Sequence, residues 1–465
     1  MTHSETQPLL ESNSYQTQPE NNVQADFPAE YPDSLPGSNH GKSLSWASAY
    51  ILVVSRVIGS GIFATPGSIV KSAGSIGLTL LVWLVGTVLA ACGMAVSLEY
   101  GCMLPQSGGD TVYLEYTYPR PRFLASTLIF VQAVVLGFTA SNSIIFPKYV
   151  LFAFYVEPTD LQQTVFAVGL LTAVTIIHGG FLKTGIAIQN ALGWVKLFLI
   201  GAMSLTGVWV LLLHFFGGAI TGGLYLLANV SYLLVVPLEE IKNSGELVAA
   251  LLFQRLFGER IGRTIFPLAI AISAAGNVMV VTFALARVNQ EIARQGFLPW
   301  QKLLSSSRPF GSPLGGLIVH YIPSLLVITL PPQGDVYNFI LDVEGYPGTI
   351  FGLAVTIGLL ILRYKEPYRV RPYKAWLPAV FLRIVVCLAL LAAPFIPPPN
   401  WQGDVDFFYA TYAIVGISLI LLAIFYWYVW TVLLPRWGGY KLVETVDTLD
   451  DGTSITKFDR SYEVS

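Results

Sequence analysis

Long apolar runs separated by short polar breaks make up the chain from residue 45 to residue 434. A helix needs about 20 mostly apolar residues to cross the hydrocarbon core of a bilayer. The pattern therefore predicts an all-α polytopic membrane protein with about eleven apparent transmembrane helices. The runs cover residues 45–71, 76–103, 122–154, 162–183, 185–214, 217–236, 264–287, 312–331, 336–363, 376–397 and 407–434.

Both ends of the chain are polar. Residues 1–44 are rich in Gln, Asn, Ser and Pro, which predicts a disordered tail. No basic start followed by a short apolar core is present, so we expect no cleavable signal peptide. Residues 435–465 form a second predicted tail, and both tails are expected in the cytoplasm. The stretch Glu5–Leu10 ("ETQPLL") fits an acidic dileucine signal for a trafficking adaptor, a short pattern that also arises by chance.

Composition supports the membrane class and excludes others. The chain is 54% hydrophobic and 12% charged, with a mean hydropathy of +0.62, whereas soluble domains carry about 25% charged residues. A net charge of -2 gives no reason to expect a nucleic-acid partner. We find no clustered nucleophile, acid–base pair or metal set, so we expect neither an enzyme nor a cofactor. The isolated residues that could suggest one are His178, His214, His320, Cys92, Cys102 and Cys387.

The basic loops predict an orientation with an inconsistency. Arg120, Arg122 and Lys183 place the amino terminus in the cytoplasm by the positive-inside rule. The basic loops of the second half place the carboxyl terminus there too. Counted from the two ends, the run 217–236 would start and finish on the same face. Either that run re-enters without crossing, or a crossing is missing near Ile220, or a span has been miscounted.

The first run is interrupted by the stretch "VVSRVIGSGIFATPG", residues 53–67. In hydrocarbon every backbone N–H and C=O group needs a partner, so a break at Gly59-Ser60-Gly61 must face protein or a polar cavity. Freed N–H groups at the start of the second half-helix suit a carboxylate, and freed carbonyls before it suit an ammonium. Such broken helices mark the substrate site of secondary transporters. The alternative is a glycine-rich helix-packing face.

Several motifs then resemble a known family in the right order. Gly59-Ser60-Gly61-Ile62-Phe63 with Thr65-Pro66 resembles the first-helix signature of the amino acid–polyamine–organocation superfamily. "PQSGGDTVYLE" (105–115) resembles its L-type amino acid transporter branch. "VTFALARVNQEIARQGFLPW" (281–300) and "LRYKEPYRVRPYKAWLPAV" (362–380) resemble two later cytoplasmic loops, and details are similar to fungal methionine permease-like transporters.

The resemblance implies a fold of two inverted five-helix repeats plus two further helices. It implies a permease for methionine or another neutral L-amino acid that works by alternating access, in the plasma membrane or alternatively a vacuolar or endosomal membrane. By position, Ser60 and Gly61 would meet the substrate carboxylate, and the Val57 carbonyl would meet its amino group. Gly59 and Ile62 would belong to the same unwound turn.

Four further polar residues lie in or beside apolar runs. The resemblance implies that Lys196 replaces a sodium ion and links the first and eighth helices, which predicts sodium-independent transport; a snorkelling lysine is the alternative. Arg56 is either a cytoplasmic gate residue or the partner of an acidic neighbour. Glu99 and Asn277 are each either helix–helix contacts or site residues.

The family pattern fails at one place. "LHFFGGAI" at the end of the fifth helix runs into "TGGLYLLANVSYLLVVPLEEI", which resembles the end of the seventh. The twelve-helix family pattern therefore predicts an internal deletion near residues 214–223 that removes the sixth helix, the second broken helix of the site. The alternative function is a transport-deficient paralogue or a mis-spliced gene product that acts as a membrane sensor or binding partner.

Overall fold

The computed structural model describes residues 59–104, 109–214, 222–308, 310–330, 336–397, 408–448 and 454–462. Several predictions concern residues outside these ranges. They are the N-terminal tail, the motif Glu5–Leu10, Arg56, Val57 and the segment 215–221.

Helices account for most of the described residues. The first half holds α1 (Gly61–Ala73), α2 (Ile76–Met103), α3 (Asp110–Thr117), α4 (Leu124–Val135), α5 (Ala140–Ala153), α6 (Asp160–Gly180) and α7 (Leu182–His214). The middle holds α8 (Gly222–Val235), α9 (Leu238–Asn243), a 3₁₀ turn (Gly245–Leu247), α10 (Val248–Gly262), α11 (Ile265–Arg294) and α12 (Gln301–Leu304). The last part holds α13 (Leu314–Thr329), α14 (Val336–Lys365), α15 (Leu377–Ala392), a 3₁₀ turn (Ala393–Phe395), α16 (Thr411–Tyr428), a π-helical turn (Val429–Leu433) and α17 (Leu434–Gly438).

Eight helical spans among the described residues are long and apolar enough to cross a membrane, which confirms a helical polytopic protein. They are Ile76–Met103, Leu124–Ala153, Asp160–Gly180, Leu182–Gly201, Ile265–Arg294, Tyr337–Lys365, Leu377–Phe395 and Thr411–Gly438. A shorter apolar helix is α13. The remaining two predicted runs contain α1, with 13 described residues, and α8, with 14. The predicted total of about eleven crossings stays a prediction.

The helices differ in how deeply they lie within the bundle. In α11, 61% of the most apolar stretch is buried, whereas the corresponding share is 17% in α15 and 6% in α16. The central α11 packs against α5, α7 and α13. The largest buried cluster joins Ile62 and Phe63 of α1 to side chains such as Tyr149 and Phe253. The half-helix α1 is therefore fixed in the core of the bundle.

The all-α prediction describes the membrane domain but missed a β-hairpin. Strands β1 (Lys441–Thr448) and β2 (Ser454–Ser461) pair antiparallel within the predicted C-terminal tail. Each strand carries β-branched residues, such as Val443 and Thr445 in β1, which favour strands, although the polar composition of the segment obscured this signal. Phe458 packs edge-on against Phe123 and Phe297, with ring centroids 4.5 and 5.0 Å away. Its N–H donates to the Gln295 carbonyl at 3.2 Å, so the hairpin is fastened to the loop after α11.

Candidate functional site

The turn before α1 presents the start of a helix inside the bundle. The Ser60 carbonyl accepts the first helical hydrogen bonds, from the N–H groups of Phe63 and Ala64 at 3.0 Å each. Gly61 and Ile62 begin the helix, so their N–H groups have no acceptor within it. Together with the helix dipole, these groups form an anion-binding end.

Two tyrosines hold this half-helix in place. The Tyr232 hydroxyl of α8 donates to the Ile62 carbonyl at 3.1 Å. The Tyr149 hydroxyl of α5 lies 3.1 Å from the Phe63 carbonyl and 2.6 Å from the Glu246 carbonyl. Both tyrosines are at most 1% exposed. The half-helix is thus attached through its backbone carbonyls, and the N–H groups of Gly61 and Ile62 have no acceptor among the described residues.

A cavity of about 240 Å³ opens beside this turn. It is smaller than the roughly 300–1,000 Å³ of pockets for drug-sized ligands, a size that suits one amino acid. None of the described residues that line it carries a formal charge. They are Gly59, Ser60, Gly61, Ile62, Thr65, Trp83, Ser141, Asn142, Asn277, Tyr337 and Leu341.

Two asparagines flank the turn. Asn142 of α5 accepts a hydrogen bond from the Ser60 N–H at 2.9 Å through Oδ1. A Cβ atom added to Gly59 would lie 3.3 Å from Asn277 Nδ2 and 3.4 Å from Asn142 Oδ1, so glycine allows both amides to approach the backbone. The Ser60 hydroxyl lies 3.4 Å from the Tyr337 hydroxyl. Asn142 Oδ1 therefore occupies a position that suits a carboxylate oxygen.

Asn142 reaches the turn because the predicted third span is broken. The run 122–154 forms two helices, α4 and α5, separated at residues 136–139. Gly137 permits the break, since a Cβ atom there would lie 2.0 Å from the Ala133 carbonyl oxygen. The Thr139 N–H donates to Ser324 Oγ at 3.2 Å. The first turn of α5 then carries Ser141 and Asn142 into the cavity wall.

His320 of α13 stabilises this second break. Its Nδ1 donates to the Gly137 carbonyl at 2.7 Å, and its Nε2 lies 3.2 Å from Thr282 Oγ1 and 3.4 Å from Thr139 Oγ1. The side chain is fully buried. The isolated histidine of the sequence is thus a partner for backbone that the break leaves unpaired, as hydrocarbon requires.

Lys196 lies outside the cavity wall but close to it. The side chain is fully buried, which excludes snorkelling to a membrane surface. A Cβ atom added to Gly276 would lie 3.3 Å from Lys196 Cε, so the lysine stem packs against α11 one residue before Asn277. The predicted link to the first helix concerns residues before Gly59, outside the described part of the chain.

The structure separates the two roles left open for Glu99 and Asn277. Glu99 is a helix–helix contact: it accepts from Arg363 Nε at 2.9 Å and from the Ala375 N–H at 2.7 Å. It also lies 3.6 Å from Arg371 Nε. This fastens α2 to the loop between α14 and α15. Asn277 instead lines the cavity.

The predicted residues Gly59, Ser60, Gly61 and Ile62 therefore lie together at one cavity. Sequence reasoning missed the other side of the site, formed by Trp83, Ser141, Asn142, Tyr337 and Leu341. The one available signal was the polar triplet Ser141-Asn142-Ser143 inside the apolar run 122–154.

Comparison with known proteins gives consistent matches. The protein-family model for amino acid permeases matches residues 44–217 and 212–420 of this chain. The low-affinity methionine permease of Saccharomyces cerevisiae is 32% identical over 483 aligned positions, covering 90% of this chain and 88% of the relative. The high-affinity methionine permease of that yeast is 28% identical, covering 91% and 85%. The mouse b(0,+)-type amino acid transporter 1 is 24% identical, covering 85% and 90%.

The alignments with these relatives contain more positions than this chain fills with residues. Ninety per cent of 465 residues is about 419, so about 64 of the 483 positions aligned with the low-affinity permease hold no residue of this chain. The same comparison with the mouse transporter, 85% of the chain against 456 positions, leaves about 61.

Proposed function

Because the chain belongs to the amino acid permease family, we propose that it is a transmembrane permease for methionine or another neutral L-amino acid. One observation carries this proposal most directly. The free N-terminal end of α1 opens into a cavity of amino acid size whose described lining holds no charged side chain. Substrate would bind there and reach each side of the membrane in turn by alternating access.

The substrate carboxylate binds the N–H groups of Gly61 and Ile62 and displaces the Asn142 amide oxygen from the Ser60 N–H. These groups supply partial positive charge without a cationic side chain. Gly61 supports this assignment because no atom lies within 4 Å of the position where its Cβ would stand, so a ligand can approach the backbone closely. The amino group binds the carbonyl of Val57, which precedes the turn.

A neutral substrate side chain fits the rest of the cavity. A cationic or anionic side chain would be buried there without a charged partner, at a cost of several kcal/mol or more. Trp83 and Leu341 offer apolar surface, and a thioether gains about 0.3–1.5 kcal/mol from contact with an aromatic ring. These features favour methionine, which is also the substrate for which two yeast relatives are named.

Transport is proposed to be independent of sodium. Lys196 is buried beside α11 near the cavity, where its ammonium group supplies a fixed positive charge in place of an ion. Arg56 is proposed as a gate residue on the cytoplasmic side. Replacing external sodium with choline should leave uptake unchanged, and strong sodium dependence would reject this assignment.

A transport-deficient chain is the second candidate function. The 61–64 aligned positions without a residue of this chain support a missing helix with its flanking loop. The two blocks of the family match overlap at residues 212–217, beside the segment 214–223 where the family pattern predicts the deletion. Lacking the second broken helix, the chain would bind amino acids weakly and transport little.

Uptake and binding experiments separate the two candidates. The 465-residue chain is expressed in permease-deficient yeast, beside a chimera that carries the corresponding segment of the low-affinity methionine permease between His214 and Gly222. We expect little methionine uptake by the parent, and uptake by the chimera that Gly61→Leu abolishes. Full uptake by the parent would reject the transport-deficient candidate. Binding of neither methionine nor another neutral amino acid by the purified chimera would reject the permease proposal.

Orientation and location are tested separately. Both termini are proposed to face the cytoplasm, and a tag at Ser465 accessible from outside intact cells would contradict this. We propose residence in the plasma membrane, with an adaptor reading Glu5–Leu10. Replacing Leu9 and Leu10 with alanine should shift a fluorescent fusion between membranes, and an unchanged distribution would reject a role for that motif.

A further inference from the structure

A second cavity lies outside the proposed substrate site, between α2, α14 and α15. It measures about 260 Å³ and contains one charged side chain, Arg383 of α15. An ionisable residue inside a membrane span is costly and usually marks a functional site. Arg383 serves no role in the proposed transport mechanism.

The guanidinium of Arg383 occupies a slot made by two glycines. A Cβ atom on Gly93 of α2 would lie 2.0 Å from Arg383 Nη1, and one on Gly352 of α14 would lie 3.1 Å from Nη2. Arg383 Nε donates to the Thr356 hydroxyl at 3.2 Å. The small glycines of α2 and α14 thus leave room for the guanidinium between these two helices.

No carboxylate among the described residues forms an ion pair with Arg383. Glu99, the buried acid of α2, is taken by Arg363 and Arg371. Asp110, outside the membrane spans, interacts with Arg383 electrostatically without forming an ion pair. Burial raises the pKa of the Asp110 carboxyl, and the positive charge of Arg383 offsets part of that rise. The remaining charge of Arg383 therefore suits an anionic ligand.

The cavity opens on the lipid-facing side of the helices, and its two ends differ in polarity. Ala90, Gly345, Gly348 and Leu390 are exposed although they lie within membrane-length helices. From Arg383 the cavity runs to Leu390, seven residues or about 10 Å along α15, and along α14 from Gly352 to Gly345. Arg383 marks the end near the basic loop 363–374, which the positive-inside rule assigns to the cytoplasm. The other end, at Leu89, Gly345 and Leu390, lies farther from that loop and is apolar.

We propose that this cavity binds one anionic phospholipid of the cytoplasmic leaflet. Its phosphate pairs with the guanidinium of Arg383, which can donate two parallel hydrogen bonds to phosphate oxygens. One acyl chain follows the glycine-lined groove of α14 toward the bilayer centre. Lys365 and Lys374, exposed in the adjacent loop, attract anionic headgroups to this side. A soluble anion lacks the acyl chain, and a zwitterionic lipid lacks the net charge.

Native mass spectrometry of the full chain in uncharged detergent tests this proposal. The purified protein is mixed with equal amounts of phosphatidylserine and phosphatidylcholine, and the retained lipid is counted. We expect one preferentially retained phosphatidylserine, with retention reduced about tenfold or more in Arg383→Gln, because a charge-assisted hydrogen bond is lost. Arg436→Gln, which removes an exposed arginine of α17, should retain it like the parent. Equal retention of both lipids, or no loss in Arg383→Gln, would overturn the proposal.

A second pair of variants tests the groove. A Cβ atom on Gly348 has only Gln132 Nε2 within 4 Å, at 3.9 Å, so Gly348→Leu fills the groove without a backbone clash. Gly169→Leu adds the same side chain to an exposed position of α6, a helix that contributes no residue to this cavity. We expect lipid loss only in Gly348→Leu and no displacement of lipid by inorganic phosphate. Retention in Gly348→Leu, or displacement by phosphate alone, would show that no acyl chain occupies the groove.

Discussion

The buried carboxylate of Glu99 in α2 should contribute more to stability than the half-exposed Glu366 of the α14–α15 loop. Glu99→Gln preserves the shape of the side chain but removes its charge. Arg363 and Arg371, which are 19% and 2% exposed in their side chains, then lose their shared counter-ion. The contact between α2 and the α14–α15 loop is weakened as a result.

The expected magnitude follows from burial. Removing one partner of a buried ion pair costs about 3–5 kcal/mol, because the other charge stays buried without compensation. Glu366 of the α14–α15 loop provides a control: it pairs with Arg369 at 3.1 Å, both side chains are 34% exposed, and a glutamine there can still accept from the Tyr116 hydroxyl. A pair screened by solvent in this way contributes about 0–1 kcal/mol. Glu366→Gln should therefore change stability several-fold less than Glu99→Gln.

Thermal unfolding of the purified variants in one detergent measures the difference. An unfolding entropy of about 2.1 cal/mol/K per residue amounts to about 1 kcal/mol/K for 465 residues. The Tm should thus fall by about 3–5 °C for Glu99→Gln and by at most about 1 °C for Glu366→Gln. Equal shifts in the two variants would refute the reasoning, since burial would then not decide the contribution of the pair.

The remaining predictions concern the proposed site. Gly61→Leu should fold with the parental Tm, because its Cβ meets open space, yet weaken methionine binding about tenfold or more; wild-type affinity would contradict the carboxylate assignment. Asn142→Asp places a carboxylate beside the Ser60 N–H and should weaken binding about 5–30-fold, the difference between a charged and a neutral hydrogen bond. Asn142→Leu, which adds no charge, is its control, and equal loss in both would count against competition for this N–H. Lys196→Met should impair uptake by a transporting form while preserving folding, and unchanged uptake would exclude a coupling role.

The sequence alone determined the class of protein and half of the candidate site. Hydrocarbon thickness sets the length of a crossing helix, so apolar runs predict spans without knowledge of their neighbours. The break at Gly59-Ser60-Gly61 followed from the order of the family motifs, because small residues alone are also typical of helix-packing faces. The burial of Lys196 could be predicted from its depth within the run 185–214.

The tertiary structure decided which residues complete these features. The break at residues 136–139 lies in an uninterrupted apolar run, and its partners His320 and Ser324 come from a helix more than 180 positions later. Asn142 meets Ser60 across 82 positions, and Glu99 meets Arg363 across 264. Hydropathy predicts whether a segment lies in lipid or in water. Which polar groups pair depends instead on which helices pack against each other. Only the packed bundle therefore shows that Glu99 is structural, that Asn142 faces the turn at Ser60, and that Arg383 faces a groove open to lipid.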